Sequence, residues 1–160
     1  MSPENMYLMD GFDLWTQFGI TIEKGGLDDL LKIPKRKQSI EHNWTDENGL
    51  DVDLTRNYFE AKDSTLKCII IADSEIKFWD QYNRFISLLT KPGTRRFTVN
   101  VFNMDYYVYY KDCTIYSKLT AFKNTGKLIC KFSLTISETT PGFQNVPIFL
   151  TDEDNRFIIT

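Results

Sequence analysis

The stretch "LICKFSLTIS" (128–137) alternates without a break. Leu128, Cys130, Phe132, Leu134 and Ile136 fall on one side; Ile129, Lys131, Ser133 and Thr135 fall on the other. A period of two marks a strand with one face on a core and the other toward water. The chain must therefore build a sheet around this segment, with a layer to cover its apolar side.

Other segments supply the sheet. "NMDYYVYYKDC" (103–113) holds four of the eight tyrosines. In a strand Tyr106, Val108 and Tyr110 share one face, and Tyr107 and Tyr109 the other. Upstream, Phe97, Val99 and Val101 alternate with Thr98 and Asn100, and Asn103-Met104-Asp105 reads as a turn. "RRFTVNVFNMDYYVYY" is thus expected to be a hairpin. Further strands are expected over Ile20–Glu23, Gln38–Trp44, Leu50–Thr55, Tyr58–Ala61, Leu66–Ala72, Thr114–Phe122 and Lys127–Ile136. Turns lie at Thr45–Gly49, with its Asn-Gly pair, and at Lys123–Gly126.

One segment has a different period. After the capping residues Asp73 and Ser74, apolar side chains recur at Ile76, Phe78, Trp79, Tyr82, Phe85, Ile86 and Leu89. Asp80, Gln81, Asn83, Arg84 and Ser87 fill the other side, and Lys91-Pro92-Gly93 stops the run. The spacing predicts an amphipathic helix over 75–89, docked through Phe78, Trp79, Tyr82, Phe85 and Leu89. A cofactor box is the alternative for the aromatic stripe. A shorter helix is expected over Leu27–Leu31.

The tail reads separately. Pro141-Gly142 closes the last core strand, so a β domain over 1–141 is followed by an extension over 142–160. There Val146–Thr151 and Arg156–Thr160 flank an acidic turn. An isolated hairpin is marginal in water. Ile148, Leu150, Phe157 and Ile159 are therefore candidate contacts of an arm, on this chain or on a neighbour.

Composition limits the function classes. With 160 residues, 42% hydrophobic and 14% aromatic, the chain is long enough for one folded domain. A net charge of −3 argues against a protein built to grip nucleic acid. "MSPENMYLMDGFDLW" carries acids where a signal peptide carries lysines, and no run approaches a membrane span; a soluble, unsecreted protein is expected. Cys68, Cys113 and Cys130 are odd in number and widely spaced, as free thiols in strands would be.

The residues of catalysis are thinly represented. His42 is the single histidine and has no second one with which to bind a metal. There is no G-x-S-x-G, P-loop or G-x-G-x-x-G. Asp51 and Asp53 share one strand face; they are either a paired-carboxylate site or solvated acids beside a turn. "KIPKRK" (Lys32, Lys35, Arg36, Lys37) is either a phosphate contact or a solvated loop. The expectation is a protein without enzymatic activity, cofactor or metal.

The order of elements resembles the distal tail proteins of tailed phages and the related tail-tube fold. The resemblance runs through "FDLWTQFGITIEKGGLDDLL" (12–31) and "KIPKRKQSIEHNWTDENGLDVDL" (32–54). Its most telling part is "TLKCIIIADSEIKFWDQYNRFISLLTKPGTRRFTVNVFNMDYYVYYKDCTIYSKL" (65–119), where strand, helix, hairpin and aromatic strand follow in order. It implies a mainly β (α+β) fold: an antiparallel β-sandwich or partly closed barrel flanked by one helix. It also implies self-assembly into a hexameric ring around a channel, at the tail tube or its distal end, with other tail proteins as partners. The location implied is the virion tail, with synthesis in the host cytoplasm. DNA would pass such a channel without tight binding. Tyr107 and Tyr109 are then candidates for a subunit interface, where a ring that is apolar and a hydroxyl that tolerates water both serve. The acid-rich hairpin with Asp46, Glu47, Asp51 and Asp53 is a candidate channel-facing or ring-joining element. The competing class is a monomeric β-sandwich that binds carbohydrate through Tyr106–Tyr110.

Overall fold

In a computed structural model, residues 3–55, 57–121, 126–141, 150–151 and 157–158 are described. Side chains are described over 3–55, 57–115 and 126–141. In chain order the elements are β1 (Tyr7–Met9), β2 (Phe12–Asp13), α1 (Leu14–Phe18), β3 (Ile20–Ile22) and a 3-10 turn (Asp28–Leu31). A pair of short strands follows, β4 (Glu41–His42) and β5 (Asp51–Val52), then β6 (Lys62–Ala72) and α2 (Glu75–Leu89). The remainder is β7 (Arg95–Val99), β8 (Met104–Ala121), β9 (Leu128–Glu138), β10 (Leu150–Thr151) and β11 (Phe157–Ile158).

Seven strands form one curled antiparallel sheet, a half-barrel, in the order β2-β1-β7-β8-β9-β6-β3. The mainly β architecture expected from the sequence is present, with α2 as the one long helix among the described residues. β9 lies between β8 and β6, and its alternation is realised: Cys130, Phe132, Leu134 and Ile136 are buried. β6 obeys the same rule through Ser64, Leu66, Cys68, Ile70 and Ala72.

The helix fills the curl. Ser74 caps it, its hydroxyl accepting the Lys77 N–H at 3.2 Å, and the ion pairs Lys77–Asp73 and Arg84–Asp80 brace its flank. It packs on β6 and α1. Phe85 lies between Phe18 and Phe132, with ring centroids 5.5 and 6.3 Å away. Phe78, Phe85, Leu88 and Leu89 are buried and Tyr82 partly so. Trp79 is a correction: it is 48% exposed, as it lies on the flank of the helix rather than underneath it. Gln81 takes an inward place on a face that reads as polar in sequence.

Three other boundaries differ from expectation. The turn of the β7–β8 hairpin is residues 100–103, with Asn103 at φ 52°, so Met104 and Asp105 already pair with Val99 and Thr98. Val101 consequently leaves the core face and is exposed. The tyrosine segment and the expected strand from Thr114 are one strand, β8, which is described as far as Ala121 and whose register against β9 shifts three times between Tyr110 and Thr120; Phe122 lies outside the described residues. Finally, β1, β2 and α1 escape the sequence reading because each is very short. Asp13 holds this corner: its carboxylate accepts the N–H groups of Asn5 and Thr16, both at 3.0 Å. Gly19 then reverses the chain at φ 63°, where a Cβ would collide with the Ile71 carbonyl oxygen.

Candidate functional site

β8 separates its tyrosines by face. Tyr106 and Val108 point into the core, while Tyr107 and Tyr109, at 54% and 38% exposure, point outward. Arg96 stands opposite Tyr107 in the β7–β8 register.

Beneath Tyr106 lies a charge pair built into the end of the core. Lys62 and Glu138 are register partners on β6 and β9, 3.3 Å apart, each about one-tenth exposed. The Lys62 ammonium also donates to the Leu30 carbonyl at 3.0 Å and lies 5.4 Å from the centre of the Tyr106 ring. Burial, and then the Glu138 charge, push the Tyr106 phenol up, so it stays protonated. The pair floors an open groove of about 1150 Å³ whose walls include Leu31, Ile33, Tyr107 and Pro141. Within the pair each charge meets its opposite, and Lys32 and Asp105 also line the groove.

Between the 3-10 turn and β6 the chain leaves the body as a two-stranded ribbon. Its backbone bonds run from Lys35/Glu60 and Lys37/Tyr58 to Ile40/Asp53, with Glu41↔Val52 and His42↔Asp51 beyond. The expected hairpin is present, but β4 and β5 pair over only two residues each. The ribbon has little of its own to bury. Ile33, Ile40, Trp44, Leu50, Leu54 and Tyr58 are all more than half exposed. His42 stacks on Trp44 at 5.6 Å, which gives the lone histidine a packing role.

Asp46, Glu47, Asp51 and Asp53 all lie exposed in this ribbon, together near its tip. Asp53 is committed locally: its carboxylate accepts the Thr55 hydroxyl at 2.6 Å and the Thr55 N–H at 3.0 Å, and both hold it below the ordinary carboxylate range. Lys35, Arg36 and Lys37 are exposed at the base.

A second uncovered surface lies on α2. Ile76 is 85% exposed, and Trp79 and Ile86 continue the same stripe. Sequence reading missed these outward residues and the ribbon's apolar ones. The available signal was an excess of apolar residues: α2 has more than one face can bury, and the ribbon has apolar residues in a turn-rich segment without periodicity. Of the C-terminal candidates, Leu150 pairs with Ile158 and Phe157 with Thr151. Ile148 and Ile159 lie outside the described residues. Among the described residues no group of three or more His, Cys, Asp or Glu is placed to hold a metal ion, and no helix is long and apolar enough to cross a membrane.

The fold has a counterpart among solved structures. The chain is similar in fold to SPP1 Dit. That protein (gp 19.1) is presented by its crystal structure as a paradigm of the hub adsorption apparatus in Gram-positive infecting phages. The TM-score is 0.61 at 16% identity, over 85% of this chain and 50% of SPP1 Dit, so the chain spans half the length of that protein. No protein-family model matches the sequence, and neither does any curated protein. Likeness to SPP1 Dit at this identity establishes a shared fold.

Proposed function

We propose that the protein is a structural subunit of a phage or phage-derived tail, which assembles with copies of itself into a ring at the tail tube or its distal end. The observation that carries this reading is the likeness in fold to a phage hub protein over most of the chain. The exposed apolar side chains of the ribbon and the exposed Tyr107 and Tyr109 support it, because a lone soluble subunit gains nothing from leaving them in water.

In this reading the protein acts by assembly alone, without catalysis, cofactor or metal, as a component of the virion tail. Its partners are its own copies and neighbouring tail proteins. A channel through the ring passes DNA, and an overall acidic chain keeps that passage from becoming a binding site. Negative-stain images of the purified protein, with light scattering on the eluted species, test it. Rings are the expected result. A monodisperse monomer at all concentrations, together with selective binding to a glycan array that Tyr107→Ala abolishes, would favour a monomeric carbohydrate-binding module instead.

A further inference from the structure

We infer that the buried Lys62–Glu138 pair is a clamp at the root of the ribbon, and that it holds the ribbon in one fixed direction relative to the body. Only one chain is involved, so the clamp stands apart from the ring reading. Lys62 is the first residue of β6, where the ribbon returns. Leu30 lies in the 3-10 turn, where the ribbon leaves, and its side chain is buried. The Lys62 ammonium joins these two roots by donating to the Leu30 carbonyl at 3.0 Å. Its other directions are taken by the Glu138 carboxylate on β9, 3.3 Å away, and by the ring of Tyr106 on β8. One side chain thus ties both ends of the ribbon to two interior strands of the sheet.

The ribbon's own bonds serve a different purpose. Those from Lys37 N–H to the Tyr58 carbonyl and from Glu60 N–H to the Lys35 carbonyl run between its two strands, so they fix its shape and leave its direction open. On the outgoing side Leu31, Lys32 and Ile33 are exposed, and Pro34 is buried but has no N–H to donate. Stability does not account for the pair. Two buried charges lose hydration that their attraction often fails to repay, and apolar side chains of similar volume commonly hold a core as well. An apolar pair cannot reach the Leu30 carbonyl with a donor, whereas an ammonium donates in several directions at once. Ser64 and Thr65 hold Asp29, one residue earlier, so release at Leu30 frees the ribbon and leaves the turn in place. A ribbon held in advance has less freedom to lose when it meets a partner.

The test uses the full chain with Lys62→Met and Glu138→Leu together, which keeps the volume and removes the donor. Spin labels on Asn48→Cys, near the ribbon's tip, and Asn83→Cys, on α2, report the direction of the ribbon; both positions are exposed. Cys113→Ser removes the partly open native thiol from the background. Labelled chains are diluted in unlabelled ones, so each distance is read within one chain. The parent should give a single narrow distance. The double variant should melt close to the parent and lose that narrow distance, with amide exchange at Lys37 and Glu60 unchanged. If it does not fold, Lys62→Gln with Glu138→Gln replaces it, since the amides can still meet each other but fall short of Leu30. A folded variant that keeps the narrow distance overturns the clamp, as does a parent that lacks one. Loss of protection at Lys37 and Glu60 overturns it too, because the ribbon then melts rather than turns.

Discussion

The backbone N–H of Thr65 donates to the Asp29 carboxylate at 3.0 Å, across 36 residues of chain. The bond closes a stretch of β6 that β3 does not reach, since β3 pairs only with Cys68 to Ile70. The Ser64 hydroxyl donates to the Asp29 carbonyl at 3.2 Å, so the 3-10 turn serves as the missing strand. A side chain thus ends the sheet where a further strand would otherwise invite association.

This relationship predicts a pH dependence. Lys32, and then the Thr65 N–H, hold the Asp29 carboxyl below its ordinary value. A depressed carboxyl contributes stability that is present above the unfolded value, about pH 4, and is lost as the pH falls through the folded value. Asp29→Asn is expected to lower the denaturation midpoint at pH 7, and the gap between variant and parent should narrow below about pH 4. Urea melts at pH 7 and pH 3 measure it; a gap that stays constant would detach Asp29 from the edge.

Phe85 is the hinge of core packing between α2 and β9. Phe85→Ala leaves a cavity between Phe18 and Phe132 and is expected to cost about 3–5 kcal/mol. Chemical denaturation reads this directly, and an unchanged midpoint would place the ring outside the core.

Gln81 should improve when made apolar. Its side chain is buried, and its Oε1 has no hydrogen-bond partner among the described residues. An unmet buried acceptor costs about 1–3 kcal/mol. Gln81→Met keeps the length of the side chain and is expected to raise the melting temperature. A lower one would mean that the amide holds the Gly19 corner.

The thiols should react in order. Burial pushes all three upward, Cys68 the furthest, while Cys113 remains partly open to solvent. A disulfide reagent should titrate Cys113 first in the native protein, with Cys68 and Cys130 reacting only on unfolding. Rapid release of more than one thiol at neutral pH would contradict the buried positions.

Much of this was readable before the structure, for a physical reason. β9 and β6 each bury one face over eleven residues, so their alternation is long enough to be unambiguous. The bounds of α2 were marked by Ser74 and by Pro92-Gly93. What was hidden depended on partners far away in sequence. β1 buries only Tyr7 and Met9, too few to show a period. The choice between Gln81 and Trp79 for the inward face is made by Gly19 and α1, not by the helix. The acids of the ribbon drew attention, yet its apolar residues proved the stronger anomaly. The role of the C-terminal segment stays a proposal. All seven strands of the main sheet lie before it, so truncation after Thr140 is expected to leave the circular dichroism melt nearly unchanged, and an early melt would assign the segment to the core.

The pairing of Met9 with Phe97 sets a timetable for synthesis. β1 leaves the ribosome long before its partner strand exists, an interval on the order of 5–20 s at about 5–20 residues per second. β3 waits less, for β6, but β6 in turn waits for β9. Through much of that interval the ribbon is already outside the tunnel, whereas β9, which must pair with β6 to complete the body at the ribbon's C-terminal end, is not. The nascent chain therefore presents its stickiest segment early and its scaffold late. Crowded ribosomes on one message would bring such segments together before any subunit is complete, so chaperone demand during expression should track the ribbon's apolar content rather than the stability of the finished sheet.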